Sequence, residues 1–330
     1  DRSPSRGLGD VYKRQEVWLH MSKLGIVGLG RVGSQVLTDV QYLNLFSEIV
    51  LIDSKEEIAS GEALDHNHSQ GLFNTSHVRI KAGAYQDLAD ADFIVIAASI
   101  QTDKNDGDRT LLAQDNHDII KNVMKQIAEV TQEAIIILIS NPVDSMVYFA
   151  NQVNYPSHKI IGTGTALESS RFKTIVDQHY QIDPKNVEAF VIGEHGQYAV
   201  PVWSKVRIHG MELSEYEALS QSPAIDKAHI TSIINEVSMD VFYQKGWTNA
   251  AISKVTTALI QAIALNQRTI MPLTSISQEY GLDDGAYSLP TLVDQYGIVQ
   301  RYPIALDEQE EQQLIEAYQY IRQTINIAQK

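Results

Sequence analysis

The sequence contains no cysteine in 330 residues, which excludes disulfide cross-links, a thiolate nucleophile and any zinc or iron–sulfur site built on cysteine. Positive charge is scarce: 26 Lys+Arg stand against 41 Asp+Glu, a formal net charge of −15. A chain this acidic is not held to nucleic acid or to an anionic membrane surface by its net charge. Long apolar runs are also missing. The strongest, residues 134–139, stops at Ser140-Asn141-Pro142 and falls well short of the ~20 residues needed to cross a bilayer. Hydrophobic residues nevertheless make up 44% and charged residues 20%, enough apolar material for a sizeable core. A soluble, cytoplasmic protein of about two domains is expected.

Residues 1–20 (DRSPSRGLGDVYKRQEVWLH) show no periodicity and lack the apolar middle of a signal peptide. Asp1, Asp10 and Glu16 do not suit an acid-poor transit peptide. The segment reads as an extraneous or disordered leader before a native start at Met21.

From Leu24 onward, short apolar runs alternate with helical stretches, the pattern of an α/β domain with a parallel sheet. Strands are expected at 24–27, 49–52, 78–81, 93–97, 135–139 and 159–161, with helices at 31–43, 56–66, 109–130 and 142–151. Pro142 suits a helix start, where its missing N–H has no helical partner. After residue 162 the texture changes to α+β: helices at 166–180, 226–243 and 249–266, strands at 187–192, 200–208, 271–276, 288–293 and 297–302, and a last helix opened by the acidic segment 307–311. The expected architecture is a Rossmann-type doubly wound parallel sheet over 21–162, followed by an α+β substrate domain over 163–330.

The strongest local signal is Gly28, Gly30 and Gly33, a G-x-G-x-x-G turn between a strand and a helix. Asp53 ends the next strand, where a carboxylate can accept from both ribose hydroxyls and repels a 2′-phosphate, so NAD is expected over NADP. The plain alternative is a glycine-rich turn with a solvated acid. His195, within Gly193-Glu194-His195-Gly196, lies between two apolar runs; it suits proton exchange near neutral pH, or it is one ordinary histidine among ten. Glu168 and Arg171 share a helix face at i, i+3. They make either a surface ion pair of at most ~0.5 kcal/mol, or a working pair in which Arg171 grips a carboxylate and Glu168 orients and charge-stabilises a histidine. The polar stretch 101–109 (QTDKNDGDR) follows a strand end, as a lid or as a solvated loop. Asp65-His66-Asn67-His68 offers too few ligands for a metal, and none is assigned.

Taken in order, GIVGLGRVG, VLID, DGDRTLLAQDN, ISNPVD, IIGTGTALESSRF, VIGEHG and KGWTNAA resemble the lactate/malate dehydrogenase family of 2-hydroxy acid dehydrogenases, from Lys23 to the C-terminus. The DGDR, IGTGT, GWTN and DEQE segments look nearest to its branch of L-lactate and L-2-hydroxyisocaproate dehydrogenases. The resemblance implies an NAD-dependent enzyme acting on a small 2-oxo or 2-hydroxy acid, assembled as a homotetramer or homodimer. It implies that His195 exchanges the proton with the carbonyl oxygen, Arg171 binds the carboxylate, and Arg109 swings in to polarise the carbonyl. Asn141 would lie near the carbonyl and the cofactor, Thr248 beside the substrate side chain, and Thr163 by the nicotinamide. The chain departs from the family in carrying Glu168 where Asp is common, and Ala98-Ser99-Ile100 where a small-residue turn is usual. Thr102, or Gln101 in an alternative alignment, takes the specificity position; neither offers a guanidinium to a second carboxylate, although Lys104 lies close by. Lys173 and Glu188 replace the Arg and His of sugar-phosphate-activated relatives, so that activation is not expected. Malate dehydrogenase and a non-catalytic dinucleotide-binding redox sensor are the competing functions.

Overall fold

The structure is a computed structural model that describes residues 22–72, 77–100 and 109–329, with the side chains of 109–111 and Ser238 outside the description. The expected leader, and the positions Gln101, Thr102 and Lys104 of the expected lid, lie outside the described residues.

Six strands form the parallel half of the sheet: β1 (Ser22–Val27), β2 (Phe46–Ile52), β3 (Arg79–Ala82), β4 (Phe93–Ile96), β5 (Ile135–Leu138) and β6 (Ile160–Gly162). Their order is β3-β2-β1-β4-β5-β6, with the reversal of direction between β1 and β4 that opens a crevice at the carboxyl ends. Burial on both faces explains the unbroken apolar sequences FIVI in β4 and IIIL in β5. Alternate side chains of these strands feed two cores. Ile94, Ile96, Ile136 and Leu138 pack with α3 (Arg109–Val130) and α4 (Val143–Ala150). Phe93, Val95, Ile135 and Ile137 pack on the opposite face with α1 (Arg31–Gln41) and α2 (Glu56–Ser69).

The sheet does not end at β6. Gly162 pairs with Thr274 of β12 (Thr269–Ser277), and β12 pairs with β13 (Gly285–Asp294), which carries β14 (Gly297–Arg301) and β8 (Val191–Gly193). With β9 (Ala199–Pro201) the sheet reaches eleven strands. At the join, a Cβ on Gly162 would fall 2.7 Å from Val147 Cγ2 and 3.1 Å from Thr274 Cβ, so only glycine fits. A third core gathers around α5 (Ala166–Tyr180) and the small sheet of β7 (Val187–Glu188), β10 (Arg207–Ile208) and β11 (Met211–Glu212). α6 (Leu213–Ser220), α7 (Lys227–Lys245) and α8 (Ala250–Ala264) follow. The final helix α9 (Glu308–Ala328) starts in a capping box between Asp307 and Glu310, as the acidic segment suggests.

Two expected strands are corrected. Residues 187–192 divide between β7 in the small sheet and β8 in the large one. Residues 200–208 divide between β9 and β10, with a 3₁₀ turn at Trp203–Lys205 between them. Pro201 still pairs with Val191 and the Val202 N–H donates in register to Phe190 O, so the chain leaves the large sheet at the 3₁₀ turn that follows and joins the small one at β10. The helix expected from Pro142 begins one residue later, at Val143. The Pro142 ψ of 116° is extended, so Pro142 caps α4 instead of lying in it. Among the described residues no helix is long and apolar enough to cross a membrane.

Candidate active site

The turn from β1 to α1 shows why glycine occupies two of its three positions. Gly28 has φ +93°, and a Cβ there would fall 2.5 Å from Ala98 N. A Cβ on Gly33 would fall 1.9 Å from Gly28 O. Gly30 differs: no described atom lies within 4 Å of where its Cβ would be. Gly30 caps α1 without a side-chain hydrogen bond, so no capping side chain takes up the first N–H groups of the helix. Asp53 closes the other side. Its Oδ2 accepts from Leu29 N at 2.7 Å and its Oδ1 from Lys55 N at 3.0 Å, which puts a carboxylate against the turn. A cradle that a side chain would fill, helix N–H groups and an acid beside them fit the pyrophosphate and ribose of NAD.

Arg31 links this turn to the second half of the chain. Its guanidinium donates to Gly246 O at 3.2 Å and lies 4.2 Å from the Trp247 ring centroid. Gly246 ends α7 in the left-handed region, with its N–H on Phe242 O, and its own carbonyl is thereby left for Arg31. Asn249 Nδ2 donates to Gln35 Oε1 at 3.2 Å. Thr248, half-buried, is therefore carried on a segment fastened to α1.

Asn141 is exposed at the carboxyl end of β5 and precedes Pro142 through a cis peptide bond. The fully buried Asn116 of α3 holds this turn and its neighbour together. Its Oδ1 accepts from Ile100 N at 2.9 Å, while its Nδ2 donates to Ser99 Oγ at 3.0 Å and Asn141 O at 2.7 Å. Ser140 Oγ adds a bond to Ala98 O at 2.6 Å. The unusual Ala98-Ser99-Ile100 turn is thus anchored through its polar atoms. Arg109 opens α3, and its side chain lies outside the description.

The second half brings its charged groups together through local stitching. Thr165 Oγ1 donates to Val191 O at 2.5 Å, and Val191 N donates to Ser169 Oγ at 2.8 Å, so the start of α5 is tied to β8. β8 leads directly into Glu194 and His195, which places the histidine opposite Glu168. Glu168 Oε2 lies 2.9 Å from His195 Nδ1, and Glu168 Oε1 accepts from Arg171 at 3.0 Å. Glu168 is 2% exposed, so a solvated surface pair does not describe this contact. Burial pushes its carboxyl up, but the charge and hydrogen bond of His195, together with Arg171, hold it below the ordinary carboxylate value. The buried Thr163 sits at the end of β6, its N–H on Leu138 O.

Sequence reasoning missed Asp144, whose Oδ2 accepts from His195 N at 2.8 Å, and Asn116. The available signal for Asp144 was the one charge in the largely apolar helix VDSMVYFA.

A parallel sheet with a glycine cradle and acid at its crevice, joined to a second half that delivers a histidine, a carboxylate and an arginine, defines an NAD-dependent oxidoreductase. Residues 22–162 match the lactate/malate dehydrogenase NAD binding domain, and residues 165–330 match the lactate/malate dehydrogenase alpha/beta C-terminal domain. The chain belongs to the lactate/malate dehydrogenase family. It is 38% identical over 297 residues to L-lactate dehydrogenase 2 of Clostridium acetobutylicum, covering 89% of this chain and 93% of that one. It is 34% identical over 309 residues to the L-lactate dehydrogenase of Selenomonas ruminantium, covering 92% and 97%. The crystal structure of the Cryptosporidium parvum lactate dehydrogenase complexed with lactic acid and NAD superposes with a TM-score of 0.89, at 26% identity, over 94% of this chain and 99% of that one.

Proposed function

We propose that this protein is an L-2-hydroxy acid dehydrogenase of the L-lactate and L-2-hydroxyisocaproate type, reducing a 2-oxo monocarboxylic acid reversibly. The observation that carries the reading is the buried Glu168 carboxylate held between His195 and Arg171. NAD would lie against Gly28, Gly30 and Gly33, with Asp53 on its ribose and Asn141 and Thr163 toward its nicotinamide end; bound as NADH, it supplies the hydride to C2 of the oxo acid.

The side chains perform the rest. Nδ1 of His195 donates to Glu168, which leaves Nε2 to carry the proton that reaches the carbonyl oxygen. The reduction converts 2-oxo acid, NADH and a proton into 2-hydroxy acid and NAD, and the imidazolium becomes neutral imidazole. Glu168 favours the imidazolium before transfer and fixes the ring, while Arg171 binds the substrate carboxylate through two parallel N–H groups. Arg109 is assigned to the carbonyl, with Thr248 and Thr102 bordering the substrate side chain. Residues 21–162 would thus hold the cofactor and 163–330 the substrate.

NADH oxidation by purified protein against pyruvate, 2-oxoisocaproate, 2-oxoisovalerate, phenylpyruvate and oxaloacetate, ranked by kcat/KM, tests the assignment. Turnover of pyruvate or a branched acid is expected. Preference for oxaloacetate would make it a malate dehydrogenase, and NADH binding without any turnover would favour a redox sensor. A homodimer or homotetramer in the cytoplasm belongs to the same reading, tested by analytical ultracentrifugation and cell fractionation.

A further inference from the structure

Asp144 is 2% exposed and uses its two oxygens in different directions. Oδ2 accepts the main-chain N–H of His195 at 2.8 Å, and Oδ1 accepts the Thr274 hydroxyl at 2.5 Å. Thr274 Oγ1 lies 2.8 Å from Ser288 Oγ, which accepts from Thr165 N at 3.0 Å. Thr165, Thr274 and Ser288 are fully buried. A chain of enclosed polar groups therefore runs from the cap of α5 across β13 and β12 to Asp144, and ends on the main chain of His195. Its starting point is the helix that also carries Glu168.

A carboxyl in this place is expensive. Burial and the nearby Glu194 charge push Asp144 up to about 7, against the hydrogen bonds from Thr274 and His195 N. An apolar side chain would suit the rest of α4, whose neighbours are Val143, Met146, Val147 and Phe149. What an apolar side chain cannot do is hold the His195 N–H. The charged groups nearby are Glu194 and His195 on the same loop, with Glu168 and Arg171 beyond the imidazole ring. Proton delivery to a carbonyl depends on placement, and a displacement of ~1 Å costs about 100-fold in rate.

We propose that Asp144 is a positioning residue for His195: it fixes the main chain from which the imidazole projects, while Glu168 fixes the ring. The proposal rests on the dehydrogenase reading above, and it adds a second carboxylate to the support of one histidine.

Asp144→Asn keeps an acceptor for His195 N–H in its amide oxygen and presents a donor to Thr274, whose hydroxyl then turns to Ser288. Asp144→Ala removes both bonds. Pyruvate reduction by Asp144→Ala should fall about 100-fold in kcat, while Asp144→Asn loses less than about tenfold. KM and the NADH dissociation constant should stay within about threefold for both, since Asp144 is buried with its oxygens on His195 N and Thr274 Oγ1. An unchanged kcat in folded Asp144→Ala, or a loss of NADH affinity in step with kcat, overturns the proposal. If Asp144→Ala does not fold, Thr274→Val loosens Asp144 without touching His195, and an unchanged kcat there overturns it equally. The wild-type enzyme assayed alongside separates the two levels, because inactivity there contradicts the dehydrogenase reading alone. The His195 imidazole NMR resonance, assigned with His195→Gln, gives an answer that needs no turnover: it should shift in Asp144→Ala and Thr274→Val, and an unmoved resonance refutes the positioning role.

Discussion

Glu168 Oε2 stands 2.9 Å from His195 Nδ1, and the second oxygen of the same carboxylate accepts from Arg171 at 3.0 Å. One buried charge therefore orients both an imidazole and a guanidinium. Glu168→Gln preserves the shape and removes the charge, so kcat/KM for pyruvate should fall by about 10²–10³ and its pH limb should move to lower pH. Glu168→Asp keeps the charge but is one methylene shorter, and cannot reach both partners from the same backbone position; it should lose less than Glu168→Gln. Steady-state rates over about pH 5 to 9 check both.

Arg171→Lys replaces a planar fork by a point charge. Losing one charge-assisted hydrogen bond costs about 1.5–3 kcal/mol, so the KM for pyruvate should rise by about 10- to 150-fold. NADH affinity should not change, because Arg171 faces Glu168 and not the glycine turn. Fluorescence titration with NADH beside steady-state kinetics separates the two effects.

The glycine turn makes a different demand. Gly33→Ala would put a methyl 1.9 Å from Gly28 O, and backbone cannot yield as a side chain can. Weakened NADH binding and a lower melting temperature are expected together. Asp53→Ser, by contrast, gives up the carboxylate's bond to Leu29 N but keeps the glycines, and should weaken NADH binding and narrow its advantage over NADPH, since the repulsion of the 2′-phosphate is removed. The ratio of NADH to NADPH dissociation constants reads this directly.

Two buried acids should shape stability in opposite senses. Glu168 is held below 4.5, so its contribution is complete above that value and is lost as acid protonates the folded protein. Asp144 is raised from 3.8 to about 7, so the folded state binds the extra proton, and stability falls as pH rises across that interval. Asp144→Asn removes the second effect. Its melting temperature relative to wild type should therefore rise from about pH 4 to about pH 7; a constant difference would contradict the assignment.

Much of the first half was legible because the physics there is local. FIVI and IIIL are buried on both faces and announce themselves as strands, and the glycine turn needs its residue types for reasons confined to a few atoms. The second half was harder. Val187–Glu188 and Val191–Gly193 are too short to carry a period, and they belong to different sheets. Asp144 was visible only as an acid in the first turn of a helix, where the helix dipole alone would favour one. Its partner Thr274 lies 130 residues away, and no spacing rule connects them. Glu168, Arg171 and His195 were each named from sequence, but that a single carboxylate touches both others is a fact of tertiary structure.

The pairing of Gly162 with Thr274 makes the two halves of the chain one continuous sheet, and Thr274 is also the residue bonded to Asp144. A clamshell motion between the halves would have to split this seam and pull on His195 at the same time. A motion that leaves this seam intact leaves Asp144, Thr274 and the His195 main chain in place. Chimaeras that exchange halves between relatives face the same seam: Gly162 and Val147 on one side and Thr274 on the other fit as a set and need to be transplanted together.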